Sequence, residues 1–245
     1  MLGRRSAHRR VWLFDLDNTL HDASHAAFGA TNRAMTEYMV EHLGLDFDAA
    51  SALRQHYWHH YGATLLGLVR HHGVRAAHFL EQTHRLPGLE AKLRTSAHDR
   101  AALKRLPGRK FILTNAPRAY ALRVMDGLHL TGAFDGILCI EDMTMFGQHR
   151  PKPDARMFRH VLARLKVRPE HCVLVEDTLA HQKSAHGLGM RTVWMRRYLD
   201  GKFKGTLRDG INSGRREAKV GVHPCHMPPY VYARMNSLKS LLALR

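Results

Sequence analysis

The chain has 245 residues, enough to bury a core without disulfides, and the length suits one domain with a large insertion or two modest domains. Its 38 Lys and Arg against 21 Asp and Glu give a formal charge of +17, and 20 His would add to it on mild acidification, so anionic partners such as phosphate esters, nucleotides or nucleic acid are favoured. Three widely spaced cysteines (Cys139, Cys172, Cys225) without a CxxC pair argue against a disulfide framework or a zinc site, and no apolar run approaches the roughly 18 residues of a membrane span, so the chain reads as soluble, cytoplasmic and without a signal segment.

In chain order, "VWLF" (Val11 to Phe14) is a short, fully apolar run of the kind that forms a strand buried on both faces. A long interval follows that reads almost entirely as helix. Phe28, Met35 and Tyr38, then Leu53, Tyr57, Tyr61, Leu65 and Leu68, recur at helical spacing, with Gly44, Gly73 and "LPG" (Leu86 to Gly88) as punctuation. Further strand-like runs are "FILT" (Phe111 to Thr114), "GILCI" (Gly136 to Ile140), "CVLVE" (Cys172 to Glu176) and "RTVWM" (Arg191 to Met195). Helical spacing separates the later ones, with Met157, Phe158, Val161, Leu162 and Leu165 after "KPD", and Leu179 to Leu188 ending at Gly189. The alternation predicts a doubly wound α/β core with a parallel sheet, and an all-helical insertion after the first strand. Residues 198–228 are glycine-rich and basic and read as a mobile loop, which a solubilising surface would explain. Order then resumes with "PPYVYARMNSLKSLLAL", which reads as a strand-like run followed by a helix capped by Asn236 or Ser237.

In an open α/β sheet, ligands collect beyond the carboxyl ends of the strands. The first strand delivers Asp15, Asp17 and Thr19 there, the second delivers Thr114 and Asn115, a later loop brings Lys152, and "CVLVE" ends in Glu176 before Asp177. Carboxylates gathered in one crevice repel and would take up protons unless a cation offsets them. Mg²⁺ suits such an oxygen-rich set and often shares its coordination with substrate phosphate. Lys152 is a second cation, able to hold Asp15 and to neutralise phosphate oxygens, and the group as a whole describes a phosphoryl-transfer site. Each residue also has a plainer reading: Thr19 and Thr114 can cap turns, and Glu176 can pair with a basic side chain.

The four segments resemble the signature motifs of the haloacid dehalogenase superfamily: "DLDNT" its DxDx(T/V) motif, "LTNAP" its second with Thr114, "RPKPD" its third with Lys152, and "VLVEDT" its fourth with Glu176 and Asp177. The resemblance implies that Asp15 is the nucleophile that forms an aspartyl-phosphate and that Asp17 is the acid and base. It implies that Thr114 and the backbone N–H groups of Leu16, Asp17 and Asn115 cradle phosphate together with Lys152. Mg²⁺ would be held by the Asp15 carboxylate, the Asp17 carbonyl and Asp177, with Glu176 beside it. Asp17 also argues against dehalogenation, because dehalogenases of the superfamily lack it. His181 departs from the pattern, standing where relatives carry Asn or Asp. It reads either as a hydrogen-bonding neighbour of the metal ligands, on the same helical face as Asp177, or as a surface histidine.

The superfamily places a helical cap after the first strand, which gives a catalytic core of residues 1–20 and 96–245 and a cap of 21–95. "YGATLLGLVRHHG" (Tyr61 to Gly73) resembles the cap of the pyrimidine 5′-nucleotidase branch, as do "FDLDNTLH" and "VEDTLAHQKSAHGLGMRTVWM". The expected reaction is hydrolysis of UMP or CMP. For Tyr61, Gly62, Thr64 and Gly67 the plain reading is helix packing, and "HYWHHY" (His56 to Tyr61) reads as core or as a metal or stacking surface. Phosphoglycolate or a sugar phosphate would use the same core chemistry. Nucleic-acid binding through the basic segments is the reading from a different class, set against a complete catalytic set of residues.

Overall fold

The computed structural model describes residues 10–94, 96–199 and 227–244. Arg4, Arg5, Arg9, Cys225 and most of the basic 198–228 segment therefore lie outside the described residues.

A six-stranded sheet forms the centre, in the order β3-β2-β1-β6-β7-β8. Its strands are β1 (Val11–Phe14), β2 (Arg109–Leu113), β3 (Gly136–Leu138), β6 (Cys172–Glu176), β7 (Arg191–Met195) and β8 (Ala233–Met235). Every pairing is parallel. Two-residue strands β4 (Thr144–Met145) and β5 (Gln148–His149) make a separate antiparallel hairpin that the sequence pattern does not announce.

β1 is central, with Phe14 opposite Ile112 on one side and Val175 on the other, and all four of its residues are fully buried. Alternation along the strand divides the core in two. Trp12 and Phe14 face a layer with Tyr120, Val124 and Met125 of α8 (Arg118–Gly127) and Leu103 of α7 (Ala97–Arg105). Val11 and Leu13 face Met157, Phe158 and Val161 of α9 (Ala155–Arg164) and Ala185 of α10 (Leu179–His186). Helices on both faces of a parallel sheet make the doubly wound fold that the run pattern predicts.

Between β1 and β2 the chain is helical: α1 (Ala23–Ala26), α2 (Phe28–Leu43), α3 (Phe47–Tyr61), α4 (Thr64–His72), α5 (Ala76–Thr83) and α6 (Leu89–Lys92) precede α7. Met39, Tyr57, Leu68 and Phe79 form their own apolar cluster, which Ile140 joins from the end of the β3 segment. Gly44, Gly62 and Gly73 close α2, α3 and α4 at positive φ, where a side chain would be strained. Arg123 of α8 ties the base of this helical layer to the sheet layer, donating to Glu90 Oε1 at 2.6 Å and to the Leu86 carbonyl at 3.1 Å.

Some boundaries differ from the sequence reading. "GILCI" is a strand only to Leu138, because Cys139 opens a 3₁₀ turn over Ile140–Met143 in which the Asp142 carboxylate takes the Cys139 N–H. The strand-like run of the closing segment is a short strand, Ala233–Met235, and the terminal helix is a 3₁₀ segment, Leu238–Ala243, capped by Ser237.

Candidate active site

The strand order reverses at β1, so the crevice beyond its carboxyl end receives loops from β2 and β6 as well. The Asp15 N–H continues the ladder to the Val175 carbonyl at 2.9 Å and so fixes the first residue past the strand. Asp15 Oδ1 accepts from Lys152 Nζ at 2.6 Å, and the same ammonium donates to Glu176 Oε2 at 2.8 Å. Lys152 and Glu176 are each 1 % exposed at the side chain, so this is a buried cation between two buried carboxylates. Burial opposes the Lys152 charge, but Asp15 and Glu176 outweigh it and hold the ammonium above its ordinary pKa. Burial also disfavours the Glu176 charge, yet Lys152 and His181 keep that carboxyl well below the usual range.

Asp15 and Asp177 have the opposite fate. Burial and then the Glu176 charge push Asp15 up to about 7, against the pull of Lys152. Burial, Glu176 and Asp15 push Asp177 up to about 9. Three carboxylate oxygens, one each from Asp15, Glu176 and Asp177, lie within 4.8 Å of one another. Such a set of clustered carboxylates, with Asp15 and Asp177 both raised, fits a hard divalent cation. Glu176 spends Oε2 on Lys152 and Oε1 on the Thr178 N–H, at 3.1 Å, so it also braces the lysine and the turn that carries Asp177.

Asp17 stands apart from this ion-pair network. Its Oδ1 accepts from the Tyr120 hydroxyl at 2.7 Å and meets His21 Nε2 at 2.9 Å. Thr114 is buried, and its Oγ1 accepts the Ala116 N–H at 3.1 Å while keeping its own O–H to donate. Asn115 clamps two loops together: Oδ1 accepts from the Lys152 N–H at 2.9 Å and Nδ2 donates to the Lys152 carbonyl at 3.0 Å. Leu16 is wholly buried, and its carbonyl takes the Leu20 N–H at 2.9 Å, which winds the chain tightly just after Asp15.

His181 reaches this group by a different route from the one its spacing suggests. Asp177 and the N-cap Thr178 precede α10, so Asp177 and His181 do not share a helical face. The His181 Nδ1 lies instead 3.1 Å from Glu176 Oε2, beside the oxygen that holds Lys152.

The helical layer approaches the same crevice. A Cβ on Gly62 would lie 3.4 Å from Cδ of Pro153, the residue after Lys152. Gly67 abuts the Tyr57 ring so closely that a Cβ there would be 2.2 Å from Tyr57 Cγ, and Thr64 Oγ1 donates to the Arg54 carbonyl at 3.1 Å. These are packing roles, the plain reading of those positions. "HYWHHY" divides between the two readings of it: Tyr57 is core and bonds His72 at 2.8 Å, while Trp58 is 56 % exposed. A cavity of about 430 Å³ opens between α5 and the start of α8, lined by Leu80, Glu81, His84, Arg85, Pro117 and Arg123 among others.

The Tyr120 and His21 contacts and the Asn115 side-chain clamp escape sequence reasoning. His21 has a faint signal in its spacing from Asp17. Tyr120 has none, because its approach depends on α8 packing against β1.

The fold is a doubly wound α/β sheet that gathers its carboxylates and lysine at a topological switch point. The chain belongs to the haloacid dehalogenase-like hydrolases, whose family model matches residues 10–189. It is similar to phosphate metabolism protein 8 of Saccharomyces cerevisiae, 25 % identical over 195 residues, which cover 74 % of this chain and 60 % of that protein. It is also similar to the glyceraldehyde 3-phosphate phosphatase of Pyrococcus furiosus, 28 % identical over 206 residues, covering 76 % of this chain and 80 % of that one. Among solved structures, a HAD phosphatase from Thermococcus onnurineus aligns over 96 % of both chains with a TM-score of 0.57 at 18 % identity. CbbY from Rhodobacter sphaeroides, in complex with phosphate, aligns over 95 % of this chain and 96 % of its own with a TM-score of 0.58 at 21 % identity.

Proposed function

We propose that the protein is a Mg²⁺-dependent phosphomonoesterase that works through an aspartyl-phosphate on Asp15, with pyrimidine nucleoside 5′-monophosphates (UMP, CMP) as preferred substrates. The observation that carries the reading is Lys152 held by both Asp15 and Glu176 at 2.6 and 2.8 Å, next to the oxygens of Asp177. A buried ammonium beside a carboxylate nucleophile is what a phosphoryl group needs on arrival, because its oxygens bring more negative charge than Asp15 alone can tolerate.

In this reading Asp15 and Asp177 hold the metal with the Asp17 carbonyl, and Glu176 and His181 support them from behind. Bound Mg²⁺ would keep both carboxyls ionised and neutralise phosphate oxygens. Asp15 attacks phosphorus and the bond to the leaving oxygen breaks as Asp17 protonates that oxygen. Asp17 then takes a proton from water, whose oxygen bonds phosphorus and releases phosphate from Asp15. Thr114, Lys152 and the backbone N–H groups of Leu16, Asp17 and Asn115 orient the phosphoryl group throughout.

Residues 21–95 would act as a cap over a core of 1–20 and 96–245, and the approach of Gly62 to Pro153 supports this division. The preference for pyrimidine nucleotides rests on the likeness of "YGATLLGLVRHHG" and the motif segments to that branch. A three-carbon or sugar phosphate is the second reading, supported by the name of the Pyrococcus furiosus relative. A Mg²⁺-dependent phosphate-release screen over UMP, CMP, dTMP, AMP, GMP, phosphoglycolate, glyceraldehyde 3-phosphate and sugar phosphates separates them. Purine preference or flat activity refutes the pyrimidine assignment, and undiminished release by Asp15→Asn refutes the mechanism.

A further inference from the structure

An acid-base carboxylate must present one oxygen first to the leaving group and then to water, and a side chain free to rotate presents it only part of the time. Asp17 is not free to rotate. Its Oδ1 takes the Tyr120 hydroxyl at 2.7 Å and lies 2.9 Å from His21 Nε2. The two partners come from separate elements: His21 from the turn after β1, where the backbone bridges Asp17 to His21, and Tyr120 from the first turn of α8. Both are almost wholly buried, at 1 % and 2 % exposure, while the Asp17 side chain retains 19 %. With both neighbours on Oδ1, the plane of the carboxylate is set and Oδ2 is the oxygen left for substrate.

His21 is an expensive way to make a structural contact. Its Nδ1 is buried without a hydrogen-bond partner among the described residues, so the ring carries a desolvation cost that the contact with Asp17 must offset. The Tyr120 ring packs in the sheet-layer core and meets the edge of His84 at a centroid distance of 5.8 Å, which fixes the direction from which its hydroxyl approaches.

We propose that Tyr120 and His21 are positioning residues that grip Asp17 Oδ1 and so aim Oδ2 at the leaving-group oxygen. The inference rests on the phosphatase reading above. In the first step the proton on Oδ2 passes to the ester oxygen as its bond to phosphorus breaks. In the second, Oδ2 takes a proton from water as the water oxygen bonds phosphorus and the bond from phosphorus to Asp15 breaks. A leaving group that is stable as an anion needs no such proton. The grip should therefore matter for alkyl esters and much less for aryl esters.

The test is kcat and KM for Tyr120→Phe, His21→Gln and His21→Leu on p-nitrophenyl phosphate and on an alkyl ester, UMP or, where UMP is not turned over, glyceraldehyde 3-phosphate. Tyr120→Phe is expected to lower kcat/KM on the alkyl ester by about 10- to 100-fold, with KM little changed, and on the aryl ester by no more than about three-fold. His21→Gln, which keeps a side-chain N–H for Oδ1, should recover activity that His21→Leu loses, and thermal melts show whether each variant is folded. Equal losses on both esters in folded variants, or no loss on either, overturn the proposal. Wild-type protein that releases phosphate from neither ester overturns the phosphatase reading and this inference with it.

Discussion

The Lys152 ammonium donates to Asp15 Oδ1 at 2.6 Å across 137 residues of chain. That contact joins the end of β1 to the loop before α9, and Glu176 completes it from β6, so three segments distant in sequence share one buried charge cluster. Even with the lysine pulling the other way, burial and the Glu176 charge hold the Asp15 carboxyl up to about 7; without the lysine it would be held higher still.

Removing the lysine therefore does more than remove the proposed phosphate ligand. Lys152→Met leaves Asp15 and Glu176 facing each other with no cation between them, and breaking a buried pair in this way costs about 3–5 kcal/mol. Urea denaturation should show that loss, and activity in the surviving folded fraction should fall by at least about 100-fold. Wild-type stability in the variant would mean that Lys152 is not held as the structure places it.

Divalent metal is expected to stabilise the protein directly. Asp177, pushed up to about 9, and Asp15, pushed up to about 7, both lie above their unfolded values in the metal-free protein. Their contribution to stability is then full below the unfolded carboxyl range and lost as pH rises through 7 and 9. Metal binding opposes that loss, so the rise in Tm on replacing EDTA with millimolar Mg²⁺ should grow from pH 6 to pH 9. Asp177→Asn should abolish most of the rise. A Tm indifferent to Mg²⁺ at every pH would contradict the metal site.

His84 supplies a pH effect of opposite sign. Burial lowers its pKa to about 4, against contributions from the Leu80 carbonyl and Asp17 that raise it. A histidine whose folded pKa is depressed is stable in the fold as the neutral ring, so its contribution is full above about 6.5 and is lost as pH falls toward 4. The upper figure is about 3 kcal/mol, lowered by the solvent that reaches the half-buried ring. Comparing unfolding free energies of wild type and His84→Asn at pH 7 and pH 5 reads it out: the gap between them should narrow at pH 5. A constant gap would show that His84 does not titrate with unfolding.

How far the sequence discloses this molecule depends on where the forming interactions lie. β1, β6 and β7 are legible because strands covered by helices on both faces must be continuously apolar, and Asp15, Lys152 and Asp177 are legible because charge so placed needs a chemical reason. The β4–β5 hairpin is hidden because two-residue strands carry no period. The 3₁₀ turn at Ile140–Met143 is hidden because an apolar run looks the same whether it continues a strand or turns into the helical layer. His181 misleads because its spacing from Asp177 assumes a helix that starts two residues later. Tyr120 is invisible because nothing local distinguishes it from any core tyrosine until α8 is laid beside β1.

Asn115 offers the sharpest test of how the loops cooperate. Its two hydrogen bonds to the Lys152 backbone, at 2.9 and 3.0 Å, hold the loop after β2, which also carries the proposed phosphate-binding Thr114, against the loop that delivers the lysine. Asn115→Asp keeps an acceptor for the Lys152 N–H but puts a carboxylate oxygen against the Lys152 carbonyl, where repulsion replaces a bond. Asn115→Ala loses both bonds without repulsion, at a cost of about 1–3 kcal/mol if the Lys152 N–H stays unsatisfied. If the clamp sets the lysine's position, both variants should raise KM for phosphate ester and weaken inhibition by inorganic phosphate, with Asn115→Asp the worse of the two. If instead Asn115 serves only through its backbone N–H, Asn115→Ala should bind phosphate as wild type does. Isothermal titration with inorganic phosphate in the presence of Mg²⁺ distinguishes the cases, because it reads anion binding separately from turnover.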